Sequence, residues 1–420
     1  VRTIVRLAAV GAVLAAAWYD VFHLLNKPAL HGFFDLLVYR GAAMWWLDGH
    51  PLYSFQLGDT GYGFTYPPFA AVCMLPLTLV TAGVAAALTT AASAAAVVAL
   101  TYWLVAPLAQ RHGWSRWFAV ALAIPVVLAM EPIRETLAYG QLNMLIFVLV
   151  VADVVALRRG WRWAGAGMGL ATALKLTPGL FIVFLVLIGR RRAATVAAGT
   201  FLGATLLAFV VNGPASWEYW TETLWQTSRV GRVDKWSNQS VLGMLARLVD
   251  PGQPDRRLWA VLTCAVLVLG LWRAVRAYRC GDDLVAVTLT GLTGCLVSPI
   301  SWTHHLFWVV PAVVVLVDVA AGTPLHGTAS WWLRIRPRAV AVGAGAAALG
   351  VAVLFLLSVP WHFAHGPGHH HLQGPIGILG ESAYGVVMLA LVALLPVRLP
   401  ASAGGHEEPV VEGVAIDGRG

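Results

Sequence analysis

Charge is the scarcest property of this 420-residue sequence: Lys, Arg, Asp and Glu together make up 11% of it, against 59% hydrophobic residues. A soluble globular chain carries about a quarter charged residues, so an ordinary water-soluble fold is excluded. Cysteine is nearly absent too. The four present, Cys73, Cys264, Cys280 and Cys295, sit in or beside apolar runs with no CxxC spacing, which argues against a disulfide framework and a zinc site. There is no DxD pair, Walker motif, GxSxG or HExxH, and this weighs against metal-nucleotide, ATP, acyl-serine and zincin chemistry. Internal repeats, common in secondary transporters, are lacking as well.

Apolar runs are what the chain has in abundance. Its mean hydropathy is +0.74, and the runs approach the ~20 residues that span hydrocarbon. The first, Ile4 to Leu25, ends without a small-residue cleavage site and reads as a retained span. A net charge of +8 could suggest nucleic acid, but the basic residues share no amphipathic face. They gather in short loops at Arg2 and Arg6, 111–116, 158–162, 190–192, 273–279 and 334–338, the positive-inside pattern. Membrane lipids, and no nucleic acid, are therefore the expected surroundings.

Anchoring those loops in the cytoplasm gives an all-α, polytopic fold of about twelve transmembrane helices over residues 1–397. A disordered cytoplasmic tail, 398–420, follows. Stretch 66–106 needs an odd number of crossings. Residues 163–189, broken by Lys175-Leu176-Thr177-Pro178, form either a hairpin of two short spans or a re-entrant element. The loops 26–65, 131–141, 212–257, 298–305 and 359–375 then face outward. The expectation is a multi-pass plasma-membrane protein with its site on the extracytoplasmic face.

Those loops hold the unusual side chains. Asp35, within Phe33-Phe34-Asp35-Leu36-Leu37-Val38-Tyr39, is a carboxylate at a membrane boundary, where a charge is costly and marks a functional candidate. The competing reading is an interfacial aspartate capping a short helix. Moving a sugar onto a hydroxyl needs a base for the proton, a role that suits Asp35, with Asp20 second. Asp48 and Asp59 read as ordinary loop acids. Pro67-Pro68, after Tyr66, stiffens the start of a span. Gln141 and Asn143 begin another span, as helix caps or as sugar ligands, and capping is the stronger reading for either alone.

Lys175 either snorkels or holds an anion such as a lipid phosphate. Its place between cytoplasmic loops keeps it from an external site unless the hairpin penetrates deeply. Asn238-Gln239-Ser240 closes a Trp-rich loop suited to carbohydrate, although Trp also marks plain membrane interfaces. His304 and His305 are adjacent, about 100° apart on a helix, and so rarely share one metal. A hydrogen-bond or phosphate role for one of them is favoured over capping. The glycine-rich loop from His362 to His371 has no defined metal spacing and reads as mobile.

In this order, Asp35-Leu-Leu-Val-Tyr39, Tyr66-Pro-Pro-Phe69, Gly140-Gln-Leu-Asn143, Lys175-Leu-Thr-Pro178, Asn238-Gln-Ser240 and Ser298 to His305 resemble the actinobacterial glycosyltransferase family 87. The resemblance covers about residues 20–320. It implies a GT-C-type membrane hexosyltransferase using a polyprenyl-phosphate sugar donor. The main expectation is α-1,2-mannosyl transfer from polyprenyl-phosphate-mannose to a glycolipid or lipoglycan acceptor of the cell envelope, with inversion. The alternative is arabinofuranosyl transfer from polyprenyl-phosphate arabinose. The family's general base maps onto Asp35, and donor or acceptor contacts onto Tyr39, Gln141, Asn143, Lys175, Asn238, Gln239, His304 and His305. The His-rich loop maps onto nothing in the family. No metal and no other cofactor are expected, because the leaving group is a monophosphate. Its charge would fall to His304 or His305, or to Arg229 and Arg232. The reading from another class is a lipid or polysaccharide transporter, which would have to be proton-driven.

Overall fold

The computed structural model describes residues 30–249, 252–326, 337–363 and 374–399. The first apolar run with Asp20, most of the His-rich loop and the chain beyond 399 lie outside the described residues. Every regular element among them is helical, and β-structure is limited to isolated bridges.

The chain turns at Phe33, at φ 56°, into α1 (Phe34–Leu47), which buries Leu36, Val38, Tyr39, Ala42 and Ala43. Pro68 occupies the first turn of α2 (Pro68–Met74), where its missing N–H costs nothing. The Thr81 hydroxyl caps the 30-residue α3 (Ala82–Arg111). α4 (Arg116–Ala129) bends by 66° into α5 (Glu131–Tyr139), because Met130 is extended and Pro132 starts a new helix. α6 (Asn143–Arg158) is followed by two short helices, α7 (Ala166–Leu174) and α8 (Gly179–Leu187), and then by α9 (Arg191–Val211). α10 (Gly213–Thr221) and a long irregular loop lead to α11 (Val241–Val249), α12 (Arg256–Arg279) and α13 (Asp283–Val297). A 3₁₀ turn, Thr303–Trp308, runs into α14 (Val309–Ala320). Last come α15 (Pro337–Leu356), α16 (Val359–Phe363), α17 (Gly374–Glu381) and α18 (Ala383–Leu394), the final two bent by 64°.

Five described helices are long and apolar enough to cross a membrane: α3, α9, α12, the run Thr303–Ala320 and α15. Counting each bent pair as one span gives seven. Among the described residues, which leave out the first apolar run, the expected total of about twelve is not reached by this measure. Length is the reason: α7 and α8 have nine residues each, ~14 Å of helix against ~30 Å of hydrocarbon.

Without a hydrophobic force between helices in lipid, close packing must hold them. α7 packs against α9, α12 against α13 and α14 against α15. Gly169 shows how close α7 comes: a Cβ there would lie 2.3 Å from the Ala197 carbonyl oxygen of α9. The span Thr303–Ala320 is central, 72% buried, whereas α15 is peripheral at 11%. Asp153 of α6 accepts the Met168 N–H at 2.6 Å and so ties α6 to the first turn of α7.

The two ends of the bundle differ. One closes on a buried ion cluster. Arg398 binds Asp282 at 2.6 Å and Asp318 at 2.8 Å, while Arg111 and His112 also reach Asp318. The cluster joins the ends of α3 and α14 to the start of α13, and it takes in Arg398, which the sequence reading assigned to the tail. The other end gathers α1, α5, the start of α6 and the Thr303–Trp308 turn around a cavity.

Candidate active site

The cavity measures about 820 Å³ and is lined by Asp35, Tyr39, Gln141, Lys175, His304 and His305, contributed by four separate segments. Asp35 stands half-buried in the first turn of α1. Its charge acts directly on Tyr66, Tyr139 and Lys175.

Gln141 reaches the cavity through the end of α5. Gly140, at φ 67°, terminates that helix in the left-handed conformation, and the Gln141 N–H returns to the Thr136 carbonyl at 2.9 Å. The Gln141 amide oxygen then accepts from the Tyr39 hydroxyl at 2.8 Å and the Tyr66 hydroxyl at 3.1 Å. Its amide nitrogen faces His304 Nε2 at 3.3 Å, which makes that ring nitrogen the acceptor. Burial, and then the charge of Asp35, push the Tyr66 phenol well above its ordinary pKa. It is therefore a neutral donor.

Asn143 does not cap α6. Its amide nitrogen donates to the His304 carbonyl at 2.8 Å, and its amide oxygen accepts from Lys175 Nζ at 3.2 Å. One side chain thus locks the hairpin tip to the histidine turn. Lys175 follows the last residue of α7, so the α7–α8 hairpin does reach the cavity despite lying between two basic loops. Its ammonium also rests 5.6 Å from the Tyr66 ring centroid.

The two histidines divide as their hydrogen bonds dictate. His305 Nδ1 accepts the Trp302 N–H at 3.2 Å, which leaves the proton of the neutral ring on Nε2 as a donor. The rings are perpendicular, with centroids 4.5 Å apart. A donor at His305 beside the Lys175 ammonium can receive a phosphate. His304 is instead tied into the amide network through its Nε2.

Asn238 and Gln239 stand apart from the cavity. Both are fully buried and neither lines the cavity. Asn238 donates to the Val233 and Pro299 carbonyls and accepts the Ser301 N–H at 2.9 Å. Gln239 donates to the Trp236 and Glu381 carbonyls and accepts the Gly385 N–H at 2.8 Å. Loop backbone needs partners when buried, and these amides supply them. Behind them Arg247, 1% exposed, binds the Lys235 and Asn238 carbonyls and the Ser382 hydroxyl. Of the other candidates, Arg229 lines the cavity and donates to the Tyr53 carbonyl, whereas Arg232 pairs with Asp234.

Several cavity residues escaped the sequence reading, among them Tyr66, Glu135, Tyr139, Lys235 and Trp302. Tyr66 had been credited only with preceding two prolines. Glu135 and Tyr139 sit one turn apart on α5, a spacing that could have placed both on one helix face. Among the described residues, no group of three or more His, Cys, Asp or Glu side chains could hold a metal ion.

A polar chamber at one end of a membrane-embedded helical bundle suits a transferase whose reactants are carried on lipids, since both must reach it from the bilayer. The chain belongs to glycosyltransferase family 87, whose model matches residues 64–299. Asp35 and the two histidines lie outside that matched span. A "Polyprenol-phosphate-mannose-dependent alpha-(1-2)-phosphatidylinositol mannoside mannosyltransferase" of Mycobacterium tuberculosis is 38% identical over 297 residues, covering 67% of this chain and 69% of the relative. Its counterpart from Mycolicibacterium smegmatis is 36% identical over 311 residues, 68% of this chain and 70% of the relative. A phosphatidylinositol pentamannoside mannosyltransferase of M. tuberculosis is 36% identical over 342 residues, with 78% and 72% covered. No solved structure matches significantly.

Proposed function

We propose that this membrane glycosyltransferase moves a mannosyl residue from polyprenyl-phosphate-mannose onto a phosphatidylinositol mannoside, or a related lipoglycan precursor, with inversion. The supporting observation is that a carboxylate, Asp35, shares one cavity with an ammonium and an imidazole donor, Lys175 and His305. The acceptor hydroxyl gives its proton to Asp35 as its oxygen attacks the anomeric carbon. The carbon–oxygen bond to phosphate breaks on the far face, and its electron pair leaves with the phosphate. Lys175 and the His305 Nε2–H take up the developing charge. A β-linked donor then gives an α-linked product. Tyr39, Tyr66, Gln141 and His304 hold the wall against which the sugars orient.

The cavity end of the bundle faces the extracytoplasmic side of the plasma membrane in this reading, because the basic turns after α3, α6 and α8 mark the cytoplasmic end. No metal takes part, and transfer is expected to survive EDTA. The decisive experiment supplies the purified protein with labelled polyprenyl-phosphate mannose or arabinose and candidate glycolipids, then identifies the product. A new α-1,2-mannosyl bond on a phosphatidylinositol mannoside supports the reading. Arabinosyl product, or lipid movement with no new glycosidic bond, refutes it.

A further inference from the structure

Beside the carboxylates Asp35 and Glu135, three cations line the cavity, more than one sugar phosphate requires. Besides Lys175 it is lined by Lys235 and Arg229, both from the loop between α10 and α11. The third cation of that loop, Arg232, is already matched by Asp234. Neither Lys235 nor Arg229 is ion-paired with a carboxylate among the described residues. Arg229 is braced by the Tyr53 carbonyl and by the Thr223 hydroxyl at 3.3 Å.

The Lys235 ammonium lies 5.7 Å from the Trp302 ring centroid, as that of Lys175 lies over Tyr66. Each cation therefore rests on its own aromatic face. The Lys235 backbone is pinned: its carbonyl accepts from the Asn238 N–H at 2.8 Å and from Arg247 Nη1 at 3.0 Å. Burial, followed by repulsion from Arg232, pulls its ammonium below the ordinary lysine pKa. A cation exposed beside the cavity, on an anchored backbone and without a carboxylate partner, is prepared for an anion from outside the chain.

We propose that Lys235, supported by Arg229, forms a second anion subsite that receives the phosphodiester of an anionic glycolipid acceptor. The inference rests on the mannosyl-transfer reading above and adds what selects the acceptor. Donor and acceptor each bring a phosphate group, and both occupy the cavity at the moment of transfer. A single shared cation would draw two like charges together, which raises the energy of the ternary complex. Cations on separate segments, one at the hairpin tip and one on the α10–α11 loop, let both anions bind.

The test uses the purified full-length protein, labelled polyprenyl-phosphate mannose and two acceptors with the same terminal mannoside. One is a phosphatidylinositol mannoside and the other a phosphate-free diacylglycerol mannoside. Lys235→Gln should raise KM for the phosphatidylinositol mannoside by about tenfold, the loss of one charged hydrogen bond. The donor KM and the KM of the phosphate-free acceptor should stay fixed, and Lys235→Arg should restore the lost affinity. An unchanged acceptor KM in Lys235→Gln overturns the subsite. A raised donor KM overturns it as well, and assigns Lys235 to the donor phosphate. Equal effects on both acceptors, unrescued by arginine, mean that the loop has merely collapsed and also overturn it. Failure of the unmodified protein to use the phosphatidylinositol mannoside refutes the parent reading instead.

Discussion

Replacing Asp35 by asparagine keeps the shape of the side chain and its capacity to accept hydrogen bonds, yet removes the only feature a general base needs. The loss of general-base catalysis is worth about 10²–10⁴-fold, or ~3–5 kcal/mol on the barrier. A second effect follows from the surroundings. The Asp35 charge also helps keep the buried Lys175 ammonium protonated, so its removal weakens the hold on phosphate to a smaller degree. Asp35→Asn should thus lower kcat by at least ~100-fold, with a much smaller effect on donor affinity. Initial rates with labelled donor give kcat, and equilibrium binding of the same donor gives Kd. Two results would refute the reasoning: kcat within about tenfold of the unmodified protein, or a loss explained entirely by weaker donor binding.

The histidines should separate. His305→Ala removes a donor to the leaving phosphate and should cut kcat by ~100-fold, whereas His304→Ala should cost less than tenfold because its ring nitrogen is occupied by Gln141. Gln141→Leu leaves the Tyr66 hydroxyl without its acceptor, while the Tyr39 hydroxyl keeps the Tyr66 oxygen at 2.9 Å; at about 1–3 kcal/mol for one stranded group it should lower Tm in detergent by a few degrees, and an unchanged Tm would count against the network. Cysteine placed at exposed Ser54 or Ser228 in a cysteine-free background should react with an impermeant reagent in intact spheroplasts, and protection at both would reverse the assigned orientation.

How much was legible beforehand depended on how local each signal was. Apolar runs and basic turns are local, and they disclosed an all-helical membrane chain. The hairpin around Lys175 was harder, because sorting loops by charge leaves two short spans and a re-entrant element equally open, and only the two nine-residue helices show how short its arms are. Asn238 and Gln239 show another limit of local signals. A polar pair beside tryptophans looks the same in sequence whether it meets a sugar or satisfies buried carbonyls, and only burial separates the two. Tyr66 had no local signature at all, since its role comes from Gln141, 75 positions away. Asp35, Lys175 and the histidines, named from the ordered motifs, line one cavity from segments distant in the chain.

The coupling of α6 to α7 bears on how the protein tolerates different membranes. Asn143 meets Lys175 at one end of this antiparallel pair, and Asp153 holds the Met168 N–H further along. Two polar latches, ten residues or ~15 Å apart along α6, leave the pair no freedom to slide. The height of Lys175 in the bundle is consequently measured from a neighbouring helix and not from the bilayer surface. Thicker or thinner lipid would tilt the peripheral α15 or deform its surroundings while the distance between the ammonium and Asn143 stays as it is. A helix pair of this kind acts as a gauge block, holding the reacting atoms at one depth across envelopes of different thickness.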